Sequence, residues 1–251
     1  MRATALRRTV ITSSVASLAL VLAACSGAKE DGGDKGKDAP KASASAAPDA
    51  KALSVVELEK LIVEQADLKG YQVQKGESPD APKSSDVTAD KAACKPIADA
   101  MSLIATGDPA ASAQRKAIAE PKKDKAESPE DIMGALGAPV TTVTLGSYDG
   151  QGAQDAFASL KKAGTECAGG FTLNIAGEQT KIGKIAPEPV TAGEEAVAFT
   201  VTSDMDGKPF ITKAVAFRKG NTLASFSVIS LAGVVKELPT AVIDAQAAKL
   251  R

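Results

Sequence analysis

The sequence predicts an α+β fold: an antiparallel β-sheet laid down as a meander, with helices packed on one face, forming a single domain behind a disordered tether. Three observations carry this. Apolar residues recur with a period of two at Phe171, Leu173 and Ile175, at Val197, Phe199 and Val201, at Ile211, Val215 and Phe217, and at Ala224, Phe226 and Val228, the alternation of strands with one buried face. Helix signals flank that stretch on both sides. Residues 26–51 hold Gly, Ser, Ala, Pro and charged residues with no large apolar side chain, so they cannot bury enough surface to offset the entropy of ordering.

At the N-terminus Arg2, Arg7 and Arg8 precede an apolar stretch from Val10 to Leu22, then Ala23, Ala24 and Cys25. That stretch is too short to span the ~30 Å core of a bilayer as a helix, and it reads as an export signal. Leu22-Ala23-Ala24-Cys25 resembles a bacterial lipobox. The resemblance implies a signal peptide over 1–24 and a diacylglyceryl group on the sulfur of Cys25. A thiol suits that bond because it is a soft nucleophile, and two acyl chains anchor where one leaks off. An ordinary secreted chain with a chance cysteine is the alternative. "RRTVI" at 7–11 partly matches a twin-arginine signal, which leaves the export route open. Residues 25–52 then form the lipidated cysteine and tether, with a flexible-coil reach of roughly 28 Å, and residues 53–251 form the domain.

About 200 residues make one domain the natural count. The 30 basic and 31 acidic residues nearly cancel, so no strong field draws the chain to nucleic acid. Aromatics are 3% and tryptophan is absent, which argues against stacking platforms for bases or sugars. With Cys25 lipidated, two of the three cysteines remain, and outside the membrane such a pair most often forms a disulfide. Cys94 and Cys167 are therefore paired, two separate buried thiols being the alternative. No histidine is present, which removes Ser-His and Cys-His bases and imidazole ligands for zinc.

The domain opens with Ser54 and Glu57 as a capping box and Leu53 and Leu58 as a hydrophobic staple. Val55, Leu58, Leu61, Ile62 and Gln65 share one face of that helix, and Gly70 closes it. "YQVQ" is strand-like. A helix follows from Pro96 to about Ala105, with Pro96 suited to its first turn. "SPEDIMGALG", 128–137, reads as a short capped helix. "VTTVTL", 140–145, is β-rich and leads into a helix from Ala153 to Ala163, which delivers Cys167. Turns at Gly177, at "DMDG" (204–207) and at "KGN" (219–221) make the later strands antiparallel. A last helix runs from about Pro239 to Leu250.

Four stretches carry candidate chemistry, and each has a plainer reading. Ser159-Leu160-Lys161-Lys162 is an S-x-x-K without its S-D-N and K-T-G companions, placed mid-helix beside a packing face. Gly150-Gln151-Gly152 opens a helix, but Asp155 stands where a dinucleotide fold needs the third glycine, so a helix-start turn is the reading. Asp204-Met205-Asp206-Gly207 starts like a calcium loop, yet Lys208 takes the next ligand position, and a hairpin turn needs the same residues. The charged run 115–131, with Lys122, Lys123 and Lys125, reads as a solvated loop, the sharper alternative being contact with anionic envelope polymers or headgroups.

Taken together, "AACKPIADAM", "VTTVTLGSY", "AFASLKKAGTEC" and "VAFRKGNTLASFSV" with a closing helix resemble the extracellular sensor-like domain of actinobacterial membrane serine/threonine kinases, a domain also found on stand-alone lipoproteins. The resemblance covers roughly residues 53–251. It implies a central antiparallel sheet with helices, a disulfide at Cys94 and Cys167, and a cleft for a small ligand, with no ligand residue carried over. The chain departs from those sensors in lacking a second cysteine pair and a kinase domain. The expectation is a non-catalytic, lipid-anchored ligand-binding or sensor/accessory module on the outer face of the cytoplasmic membrane, with no cofactor and no catalytic or metal residues. Its partners would be the membrane through the anchor and a small molecule, lipid or envelope component. The alternative expectation is an envelope lipid or glycolipid carrier with a hydrophobic cavity.

Overall fold

The computed structural model describes residues 50–76, 82–120, 137–205 and 207–250. The expected signal peptide, Cys25, most of the tether, Lys122, Lys123, Lys125 and nearly all of the 128–137 helix lie outside the described residues. In chain order the elements are α1 (Val55–Leu61), β1 (Tyr71–Lys75), β2 (Val87–Ala89), α2 (Lys95–Met101), β3 (Ala111–Ala119), β4 (Val140–Ser147), α3 (Gly152–Glu166), β5 (Phe171–Ile175), β6 (Glu178–Glu188), β7 (Glu195–Met205), β8 (Lys208–Lys219), β9 (Thr222–Ile229) and α4 (Thr240–Lys249).

The strands form one sheet of order β1-β3-β4-β9-β8-β7-β6-β5-β2, every neighbour antiparallel. Strands β5, β7, β8 and β9 are those of the expected meander, and β6, which was not expected, pairs between β5 and β7. The α+β class stands, but the helices occupy both faces of the sheet rather than one. Helices α2 and α3 pack with Phe199, Val201, Ala214, Ala216 and Leu223, whereas α1 and α4 pack with Ala198, Val215, Phe217, Ala224 and Phe226. Register explains the difference. Val215 pairs with Ala198, not with Phe199, so the apolar sets of β7 and β8 project from opposite faces. The small alanines between them are buried as well. A period-two reading that follows the large residues sees one face and overlooks the alanines.

Helix α1 starts as its sequence demands: the Ser54 amide donates to Glu57 Oε2 at 2.8 Å and the Glu57 amide donates to Ser54 Oγ at 3.4 Å. It buries Leu58 and Ile62 but leaves Val55 exposed and ends at Leu61, before Gln65. Helix α2 stops at Met101, short of the expected Ala105. Leu103 takes a left-handed φ of 65°, its amide donates to Ala100 O at 3.3 Å, and the Ile104 amide donates to Asp99 O at 2.9 Å. That is a Schellman ending with leucine where glycine is usual. Ahead of α1 the chain is stitched to the β4–α3 and β8–β9 turns. The Leu53 amide donates to Ser147 Oγ at 2.8 Å, the Ala52 amide to Asp149 Oδ1 at 2.9 Å, and Asn221 Nδ2 to Lys51 O at 2.6 Å.

Candidate functional site

Strand β3 sets the floor of the site. Ala113, Arg115 and Ala117 face α1 and are buried, so by the period of the strand Ser112, Gln114 and Lys116 face the other way. There they meet Ser102, Leu103, Ile104 and Ala105, the chain that follows α2, and Pro82, Lys83 and Ser84. Between them lies a cleft of about 390 Å³, within the range of small-ligand sites.

The cleft wall is held by side chains. Gln114 Nε2 donates to Leu103 O, and Thr144 Oγ1 donates to the same carbonyl at 3.3 Å. Leu103 therefore keeps a conformation that costs a non-glycine residue about 1–3 kcal/mol. Such strain persists where the surroundings over-determine it. Gly76 closes the far side. A Cβ there would lie 2.7 Å from Gln114 Cβ, so glycine is required for β1 to approach β3. Behind the wall, Lys95 Nζ bonds Asp99 Oδ1 and donates to Ser84 Oγ at 2.8 Å. Burial pushes the Asp99 carboxyl above the ordinary aspartate range, and Lys95 and Ser84 offset this only in part.

The disulfide braces the same face. Cys94 and Cys167 are joined, Cα to Cα 5.8 Å, across a separation of 73 residues, tying the start of α2 to the end of α3 as expected. In the chain-entropy account a loop of that length contributes roughly 4 kcal/mol.

Two polar features of the cleft are unusual. Ser102 is 7% exposed and its Oγ makes no hydrogen bond; a buried hydroxyl left so costs about 1–3 kcal/mol. The other described buried atom in that condition, Glu194 Oε2, lies 2.7 Å from Arg218 Nη1 and is charge-paired, though poorly angled for a hydrogen bond. Second, Lys83 and Lys116 line the cleft with no Asp or Glu among its described lining residues. Lys116 is half-buried and Lys83 exposed, whereas the buried cations have partners: Arg115 has Glu59 at 2.7 Å, Lys213 has Glu188, and Arg218 has Glu195 at 2.8 Å.

The sequence motifs resolve into structure. Ser159 Oγ donates to Ala156 O at 2.8 Å within α3, the back-bond of a mid-helix serine. Gly150 has a φ of 54° and Gly152 begins α3, a helix-start turn. Asp204 Oδ1 accepts from the Gly207 amide at 2.8 Å, closing the β7–β8 hairpin. The charged run expected as a loop from residue 115 begins inside β3, because Arg115 is neutralised by Glu59 of α1. Among the described residues none of these stretches contributes to the cleft except Lys116, which lies in the run but was expected in solvent. The cleft residues come from five separate segments, and a strand reading of "SAQRKAIA" was the one sequence signal that could have grouped three of them.

No family model matches the chain, and no curated protein matches it. Among solved structures it is similar to the extracellular domain of PknH from Mycobacterium tuberculosis, with a TM-score of 0.49 and 11% identity, over 80% of this chain and 97% of that one. That domain is of the kind the sequence pattern resembles.

Proposed function

We propose that the chain is a lipid-anchored extracytoplasmic module, non-catalytic, that binds a small ligand in the cleft between β3 and the chain following α2. The observation that carries this reading is the cleft itself: a strained, well-braced wall with a Ser102 hydroxyl that no described protein group satisfies and a Lys116 with no ion-pair partner among the described residues. Stored strain and unmet hydrogen-bonding capacity are features that ligand sites retain at a cost to stability. The cleft offers lysines and hydroxyls but no base aligned on a nucleophile, which favours binding over chemistry. The Cys94–Cys167 disulfide suits an oxidising compartment, and the lipobox-like Leu22-Ala23-Ala24-Cys25 suits an anchor at the membrane's outer face. Stitching at Ala50 to Leu53 would hang the domain from its β4–α3 and β8–β9 turns.

Protein purified from membranes of its source tests this by intact and native mass spectrometry. The expected result is a chain beginning at Cys25 with a diacylglyceryl group, Cys25→Ser moving to the soluble fraction, and a small non-covalent mass lost on denaturation. Wild-type protein that stays soluble, or a native mass equal to the denatured one, would count against the reading. A second reading, an envelope lipid carrier, is favoured by a different place. Met101, Met205, Phe210 and Ile229 border a cleft of about 370 Å³ at the ends of β7, β8 and β9, with Met205, Ile229 and Leu231 exposed. An acyl chain would lie at this surface, because the space between sheet and α3 is filled by Phe157, Leu160 and Phe199. Retained lipid mass would make that reading the better one.

A further inference from the structure

The chemistry of the β3 cleft narrows what it can hold. Its described lining carries two ammonium groups and no carboxylate, in a chain whose acids slightly outnumber its bases. Lys116 is half-buried, and among the described residues neither it nor Lys83 has an ion-pair partner. The remaining polar positions are set out around them. Gln114 has spent its amide nitrogen on Leu103 O and Thr144 Oγ1, and Ser84 Oγ is held by Lys95. Ser102 Oγ is unspent, and Ser112 is also part of the lining.

We infer that the cleft takes a small oxyanion, a carboxylate or a phosphate monoester, with Lys116 and Lys83 as its counter-charges and the hydroxyls of Ser102 and Ser112 as donors. This rests on the cleft being the ligand site. A half-buried ammonium beside a low-dielectric wall attracts an anion more than a fully solvated one does, and hydrogen bonds from a charged donor are about twice as strong as neutral ones. A neutral ligand would leave half-buried Lys116 uncompensated, whereas exposed Lys83 is solvated. A bound oxyanion would also give Ser102 the partner it lacks.

The full-length protein in detergent is titrated calorimetrically with inorganic phosphate, with citrate, and with glucose as the neutral arm; phosphate against citrate distinguishes the two sources of the anion. In parallel, lysine acetylation is mapped by mass spectrometry with and without each probe. The expected result is binding of at least one anion, weakened tenfold or more by Lys116→Gln and by raised salt. Lys116 and Lys83 are protected from acetylation, whereas Lys161 and Lys181, which lie outside the cleft, are not. Ser102→Ala is the second variant. It removes an unpaired hydroxyl, so it leaves the melting temperature unchanged or higher while weakening the anion severalfold. Anion affinity unaffected by Lys116→Gln, or protection spread evenly over the lysines, would overturn the inference. So would glucose bound in preference to both anions, an outcome that leaves the ligand-binding reading standing. Failure of that broader reading shows separately, as the absence of any small mass on the native protein.

Discussion

Arg115 and Lys116 are adjacent in the chain and on opposite faces of β3, and they meet opposite fates. Arg115, 8% exposed, is clasped by Glu59 with Nη2 at 2.7 Å and Nη1 at 3.3 Å from the carboxylate. Lys116 looks into a cleft with no acid on its described lining. Buried charges with partners lie on both faces, since Arg218, paired with Glu195 at 2.8 Å, shares the face of Ala214 and Ala216. On the α1/α4 face, Lys213 is bonded to Glu188 and Thr200. Gln246 clips α4 to α1 there, accepting from the Val63 amide at 3.0 Å and donating to Leu61 O at 2.8 Å. On the α2/α3 face the wall of the cleft is strained at Leu103 and unsatisfied at Ser102. A buried polar group with a partner is holding the fold together; one without a partner is held by the fold for something else. At β3 a single residue of register separates the two roles.

The largest expected effects strike the two faces in different ways. Phe226→Ala on the α1/α4 face removes a buried ring stacked on Phe217 with centroids 5.7 Å apart. It should cost about 3–5 kcal/mol by chemical denaturation while the cleft keeps its lysine reactivity. Cys94→Ser with Cys167→Ser on the other face should cost roughly 2–5 kcal/mol and should also alter acetylation at Lys116, because the bridge fixes α2 and the chain that leaves it. Equal effects of both variants on Lys116 reactivity would mean that the two faces are one mechanical unit.

The middle effect compares the neighbours directly. Arg115→Ala leaves Glu59, whose side chain is 24% exposed, only the longer contact with Lys75 at 3.8 Å, and discounting the buried-pair cost for that exposure leaves about 1–3 kcal/mol. Lys116→Ala breaks no ion pair and should stay within about 0.5 kcal/mol of wild type. A Lys116 variant as unstable as the Arg115 variant would show that the lysine is structural and would remove the contrast.

How far this contrast was legible in the sequence depends on the residue. Strands β7, β8 and β9 could be read because large apolar residues alternate in them, and α1 because Ser54 and Glu57 are spaced for reciprocal caps. Strand β3 could not. Its sequence puts an arginine, a lysine and a glutamine where a buried strand should be apolar, and only the position of Glu59, 56 residues earlier, turns Arg115 into a core residue. Strand β6 was missed for a related reason: in "EQTKIGKIAPE" only Ile182 and Ile185 are buried, spaced by three across a register shift near Gly183, so the period of two is broken. Leu103 carried no signal because its left-handed conformation is imposed by Gln114 and Thr144 rather than by its own side chain. The disulfide was legible because it follows from counting, whereas the cleft depends on five segments meeting.

The smallest expected effect is read as a slope with pH, and its sign differs between the faces. Arg115 holds the Glu59 carboxyl below the ordinary glutamate range, chiefly through their hydrogen bond. In that case the unfolded chain binds the proton more tightly, so the contribution of Glu59 is complete above the ordinary range and is lost as pH falls through its folded value. Asp99 is the reverse. Burial raises its carboxyl despite Lys95 and Ser84, so the folded chain binds the proton more tightly, and its contribution is present below the ordinary aspartate range and is lost as pH rises through the folded value. Glu59→Gln should therefore flatten the acid limb of the stability profile, at the cost of the Arg115 pair near neutrality. Asp99→Asn should be more stable than wild type near neutrality, with the advantage vanishing below the ordinary aspartate range. Denaturant midpoints taken across the acid range for both variants check this. An Asp99→Asn variant less stable than wild type near neutrality would mean that Lys95 and Asp99 act as a holding pair like Arg115 and Glu59. Ser102 and Lys116 would then be the groups set aside from the fold, and the division of roles would rest on the cleft alone.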